Sequence, residues 1–307
     1  MRPVAVSLVL AAALLAAAPA LAAPRPAAAA VPPAIVEGTN GFALDLYGQL
    51  RQKPGNLCFS PASVSLALAM TAAGAQGDTA KEMAKVLRFR LAAPALHAGM
   101  GALVRELESA GGGAPELRIA NRLFVQQGKP LQPEFAALTK EHYAAAAEVV
   151  SFVRAAEKAR RAINGWVSDR TNGRIRDLIG AGVLTAATRL VLVNAIYFKA
   201  DWQHQFEKHA TYNEPFLVTP TQKRPVAMMH QTTSAGYAET RDTLVLELPY
   251  RGTAERDLAL VIVLPRAADG LAKVEQGLDV ARLAAYVKAL RRERVDVALP
   301  RFKLDAA

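Results

Sequence analysis

The sequence contains a single cysteine, Cys58, so no disulfide can form within the chain and the fold must hold by packing. Cys58 stands between Leu57 and Phe59 in a short strand-like run, which reads as a small buried apolar residue rather than a reactive thiol. Catalytic signatures are missing as well. There is no G-x-S-x-G elbow, no S-x-x-K, no H-E-x-x-H, no C-x-x-C and no phosphate loop. Of the five histidines, His204 and His209 lie five apart in an expected loop, a spacing unspecific for a metal pair. The carboxylates Glu106 and Glu108 fit a solvated helix face. These absences leave an enzyme without positive support, and neither a metal nor a cofactor is expected. Beyond the N-terminus, no apolar run reaches membrane-spanning length, so no membrane partner is expected.

The N-terminus is of a different kind. Met1-Arg2-Pro3 is basic, Val4 to Ala18 is apolar and uncharged, and Ala20-Leu21-Ala22 places small residues where a signal peptidase reads. Residues 1–22 therefore read as a secretory signal peptide, and the product as secreted, extracellular or periplasmic. Residues 23–37, rich in Ala and Pro, read as a flexible leader, and 38–307 as one domain. Lys and Arg outnumber Asp and Glu by 37 to 27, a net charge of +10 that attracts polyanions. The densest basic runs, at 154–161, 170–176 and 291–294, are interrupted by acidic or apolar residues as on solvated helix faces, so no nucleic acid partner is expected.

Periodicity organises the remainder. Ala43, Leu46, Tyr47 and Leu50 repeat at helical spacing from Asn40, with Thr39 or Asn40 as cap. Ser60 before Pro61 is a cap-then-proline helix start, and 61–73 is apolar nearly all round, as a buried helix would be. Thr79 with Glu82 has the spacing of a capping box for a helix over 80–87. Helices are also expected over 96–109, 133–143, 155–170 and 271–290, the third closed by Asn172-Gly173. Strands are expected at 117–125, 149–153, 190–198, 216–231 and 295–299, with 243–250 and 257–265 as an antiparallel hairpin. Helices dominate the first half and strands the second, which makes the class α+β and not a βαβ array.

One stretch poses a question. "LVLVNAIYFKADWQHQFE" is apolar for nine residues apart from Asn194, and Trp202, one of only two tryptophans, follows just past its end. This segment resembles strand three of the central sheet of the serpins. "NLCFSPASVSLALAMTAAGAQGDTAKEM" is similar to the buried helix B and the next helix of that family, and "INGWVSDRTNGRIRDLI" to its helix F. "LELPYRG" with "LALVIVLP" resembles paired strands of a second sheet, and "VALPRFKL" the strand after helix H. The likeness runs from about Asn40 to Leu304 in matched order.

The resemblance implies a serpin-like α+β fold: a large central sheet, smaller additional sheets and surrounding helices. It implies an inhibitor of serine or cysteine endopeptidases whose reactive loop, once cut, inserts into the central sheet as a new strand. Such an inhibitor needs no catalytic residue of its own. Asn194 matches the family's shutter position on the strand beside which the sheet parts, Ser60 and Ser63 match the hydroxyls on the helix behind the sheet, and Trp202 matches the aromatic at the breach, where the loop first enters. Ser60 as a plain helix cap and Trp202 as cover for a strand end are the alternatives. The strand 191–198 is expected to form one lip of the opening. The chain stops at Ala307, where the family continues with a hinge, reactive loop and last core strands, so the C-terminal part reads as missing, no reactive bond can be assigned and low stability is expected. The region matching the heparin-binding helix of activated relatives, His97 to Ser109, holds only Arg105 among Lys and Arg, so no heparin site is expected. The partner is a target protease and the chain a monomer; a non-inhibitory serpin-like binding protein, or an inactive truncated fragment, is the alternative.

Overall fold

A computed structural model describes residues 30–110, 116–219, 221–252 and 258–303. The expected signal peptide, residues 23–29 of the leader and Leu304 lie outside the described residues. The elements in chain order are α1 (Pro33–Leu50), α2 (Pro61–Ala72), α3 (Gly77–Val86), α4 (Ala93–Ala110), β1 (Glu116–Gln126), α5 (Pro133–Tyr143), β2 (Ala146–Val150), α6 (Phe152–Arg170) and β3 (Leu190–Lys199). After a single 3-10 turn come β4 (Thr211–Leu217), β5 (Lys223–Glu239), β6 (Thr243–Pro249), β7 (Ala259–Pro265), α7 (Leu271–Gln276), α8 (Val280–Ala289) and β8 (Arg291–Pro300). The described residues gather into two compact units: a first within 30–45 and 59–199, and a second within 46–58 and 200–303.

The first unit is built on a three-stranded sheet in the order β2-β1-β3. β1 pairs antiparallel with β3 and parallel with β2, the parallel pair being joined through α5. One βαβ crossover thus exists where the sequence pattern indicated none. Because side chains alternate across a strand, the register sorts β1 and β3 into two faces. Ala120, Phe124, Val193 and Ala195 share one face and are covered by Phe152, Ala159, Ile163 and Val167 of α6, a buried cluster. Trp166 adds its indole edge-on to Phe124 at 6.0 Å, with the Arg122 guanidinium 4.8 Å above its ring. The other face carries Asn121 opposite Asn194, and β3 packs there on α2.

Several boundaries differ from the sequence pattern. α1 starts at Pro33, so residues 33–37 of the expected leader are helical. Proline suits a first helical turn, and Ile35 is buried against Gly99. α3 starts at Gly77 after Gln76, which leaves Thr79 inside the helix and unable to cap it. The strand expected at 149–153 is β2 at 146–150, since Ser151 already caps α6 by accepting from the Arg154 amide. The Gln126 side chain reinforces that start, its Oε1 accepting from the Phe152 and Val153 amides at 2.7 and 3.1 Å. Asn172 and Gly173, at φ of 50° and 71°, close α6 in the left-handed conformation that those residue types tolerate best. Leu57 to Phe59 forms no strand, and Cys58 is exposed rather than buried.

The second unit holds a five-stranded sheet with β4-β5-β6-β7 in order and β8 on β5. β6 and β7 form the expected antiparallel hairpin, in register from Thr243 opposite Pro265 to Pro249 opposite Ala259. The strand expected over 216–231 divides into β4 and the 17-residue β5. Two apolar clusters cover this sheet, one around Leu248, Ile262 and Leu299 and one around Val245, Val263 and Tyr286. The helix expected over 271–290 breaks into α7 and α8 because Asp279 caps a new start, its Oδ1 accepting from the Arg282 amide at 2.7 Å.

Candidate functional site

The first unit carries a hydrogen-bonded relay of polar side chains between its sheet and α2. Ser60 caps α2 with extended backbone, its Oγ accepting from the Ser63 amide at 3.3 Å. That cap sets the first turn so that the Ser63 hydroxyl points at β3, where it donates to Asn194 Oδ1. Asn194 Nδ2 donates in turn to Asn121 Oδ1 at 2.6 Å, across the β1–β3 pair. Asn121 Nδ2 donates to the Tyr143 carbonyl at 2.9 Å, satisfying one of the acceptors left over at the C-terminal end of α5. The two amides are thereby used as donor and acceptor at once, which is what a polar group facing a packed helix requires.

Two of the four residues singled out from sequence therefore meet, Ser63 and Asn194, with Ser60 bonded to the backbone of Ser63. Trp202 lies in the second unit. It forms an isolated bridge with Tyr250, stacks on that ring at 4.7 Å and 15°, and meets Phe206 edge-on at 6.3 Å. Backbone bonds flank it, from the Gln203 amide to the Pro249 carbonyl and from the Arg251 amide to the Asp201 carbonyl. Burial pushes the Tyr250 phenol up, so this aromatic stack is uncharged at neutral pH.

Whether 191–198 forms one lip of an opening between strands is not tested by the described residues, which place β1 on one side of it. β3 is the outermost strand of its sheet, bonded on one side to β1. Asn194 is accordingly half-buried, and Leu190 and Phe198 are each 42% exposed, where a strand flanked on both sides would have enclosed them. Sequence reasoning missed Asn121, although "LRIANRLFV" carries the same signal of a lone amide in an apolar strand. It also missed Tyr143 and His97, whose partnership depends on how α4 and α5 pack. Among the described residues, no group of three or more His, Cys, Asp and Glu side chains converges to hold a metal ion, and no helix is long and apolar enough to cross a membrane.

Comparison with known proteins bears on this arrangement. The family model described as "Serpin (serine protease inhibitor)" matches residues 37–307. The leukocyte elastase inhibitor of Bos taurus is 42% identical over 275 residues, covering 86% of this chain and 71% of that protein. Among solved structures, ovalbumin from emu (Dromaius novaehollandiae) superimposes with a TM-score of 0.83 at 30% identity, covering 88% of this chain and 74% of that one. A cleaved Serpin 42Da does so with a TM-score of 0.78 at 35% identity, covering 87% and 71%. With a relay of hydroxyl and amide groups between its sheet and its buried helix, and with these likenesses, the chain belongs to the serpin (serine protease inhibitor) family.

Proposed function

We propose that this chain belongs to a secreted inhibitor of serine, or cysteine, endopeptidases that acts by having its reactive loop cut and inserted into the first unit's sheet. The observation that carries this reading is the Ser63–Asn194–Asn121 relay. A sheet that must move over a helix needs polar groups able to exchange partners without leaving one buried and unsatisfied, and donor–acceptor amides do this. The 42% identity to a protein named for elastase inhibition supports the same target class. In this mechanism the protease's own nucleophile attacks the loop and forms an acyl-enzyme. Insertion of the cleaved loop then outruns hydrolysis, and the energy comes from a native state that is kinetically trapped. The inhibitor contributes no catalytic group, and no reactive bond is assigned within residues 1–307. Trp202 is proposed to mark the point of loop entry.

The test is incubation of the protein, expressed from its own gene, with a panel of chymotrypsin-like, elastase-like and papain-like endopeptidases. Stoichiometric loss of protease activity together with a complex that survives boiling in SDS is the expected result. Turnover of the protein as an ordinary substrate by every protease overturns the proposal. That outcome favours a non-inhibitory serpin-like binding protein.

Export is part of the proposal. Cleavage after Ala22 leaves a mature chain beginning at Ala23, 307 − 22 = 285 residues of the given sequence. Intact-mass measurement of protein recovered outside the cytoplasm is expected to show that N-terminus. Recovery only inside the cell, with residues 1–22 still attached, sinks this part of the reading.

A further inference from the structure

The relay does not end at the Tyr143 carbonyl. The phenol of the same residue is 2.6 Å from Nδ1 of His97, with the two rings edge-on at 5.8 Å and 69°. His97 is 3% exposed on α4 and Tyr143 is fully buried on α5. One residue thus bonds in two directions, through its hydroxyl to α4 and through its carbonyl to Asn121 on β1.

We propose that His97 is an acid-sensitive latch on the joint of α4, α5 and β1, and that its protonation loosens the relay running to Asn194 and Ser63. In the proposed state the imidazole is neutral with its hydrogen on Nε2, and the Tyr143 hydroxyl donates to Nδ1. A second proton on Nδ1 turns that acceptor into a donor. The phenol hydrogen must then rotate away into the protein interior, where a lost acceptor is costly. The movement bears on Tyr143 itself, whose carbonyl anchors Asn121.

The elements packed around the joint carry the following charged groups. α2 has no charged or titratable side chain anywhere between Pro61 and Ala72. On α1, Glu37 and Asp45 are engaged by Arg90 and Arg88. On β1, Glu116 pairs with Arg118 and Arg122 with Glu148. α4 itself adds Arg105, Glu106 and Glu108, two to three turns beyond His97, and α5 adds Glu134, Lys140, Glu141 and His142. Burial, and after it the charge of His142, hold His97 below its ordinary range. The unfolded chain takes up this proton near pH 6.5 while the folded chain resists it. Between those two values the unfolded state binds more protons, so stability falls as the pH drops through about 6.5 and levels off below the folded value. This inference stands on the hydrogen bonds of the first unit and is independent of protease inhibition.

The test compares urea unfolding of the full chain at steps between pH 7.5 and 5.0 for the wild type, His97→Gln and His142→Gln. Each unit of separation between folded and unfolded pKa is worth about tenfold in the folded-to-unfolded ratio. Wild type is expected to lose more of that ratio on acidification than His97→Gln, whose amide oxygen still accepts the Tyr143 hydrogen but binds no proton, and His142→Gln is expected to lie between them, nearer the wild type, because burial is the larger cause. Parallel profiles for wild type and His97→Gln overturn the proposal. Should His97→Gln fail to fold, histidine ring titration of the wild type by NMR decides. A His97 ring that titrates at the ordinary value, or whose titration leaves the Asn194 side-chain amide unmoved, overturns it; a depressed titration that shifts that amide supports it.

Discussion

Replacing Phe124 by alanine is expected to destabilise the first unit by about 3–5 kcal/mol, the range for truncating a large aromatic in a closed core. Phe124 has no exposed surface, and it sits on the sheet face that Phe152, Ile163 and Val167 of α6 cover. Its ring also meets the Trp166 indole at 6.0 Å, an edge-on contact worth a further fraction of a kcal/mol to about 1.5 kcal/mol. Truncation leaves a void that strand and helix, both held by backbone bonds, cannot close by moving. Urea unfolding followed by Trp166 fluorescence in a Trp202→Phe background checks this, because Trp166 reports on the affected face. A loss below about 1 kcal/mol would mean that α6 settles into the void, and that this face is packed more loosely than its burial implies.

Asn194→Ala is expected to cost about 2–3 kcal/mol, although it removes little apolar contact. The substitution strips an acceptor from the Ser63 hydroxyl and a donor from Asn121, which is 6% exposed. An unsatisfied buried polar group costs about 1–3 kcal/mol, and the half-buried state of Asn194 keeps the sum below the upper end. The Ser63→Ala variant loses only one of these bonds and is expected to cost about 1 kcal/mol. The double variant should fall short of the sum of the two by about 0.5 kcal/mol or more, since both act on one shared bond. Additive losses in that cycle would show that Ser63 and Asn194 do not interact.

Much of this arrangement was legible beforehand, for local reasons. Ser60-Pro61 announced the start of α2, and Asn172-Gly173 the end of α6, because capping and positive φ are properties of one or two residues. Asn194 stood out because an amide in an apolar strand needs a partner, and Ser63 supplies it. Asn121 carried the same signal on β1 and was passed over, since the cross-strand register that sets it opposite Asn194 is not written in either strand alone. The errors share a cause. The capping box at Thr79 and Glu82, the strand at 149–153 and the buried Cys58 are all inferred from residue patterns, whereas α3 already starts at Gly77, the Ser151 cap of α6 ends β2 at Val150, and Cys58 is exposed.

The sequence by itself determined the family, the α+β class, the hairpin of β6 and β7 and the amide at the centre of the relay. The family follows from the resemblance of its motifs, and the other three from residue type and spacing along the chain. Only the tertiary structure decided that Asn194 faces Ser63 rather than the α6 side, that Asn121 and Tyr143 extend the relay to His97, and that β3 is the outermost strand of the described sheet. Those outcomes depend on register and on which face each helix covers. A side-chain period of two assigns residues to two faces but leaves open which face meets which helix until the elements pack.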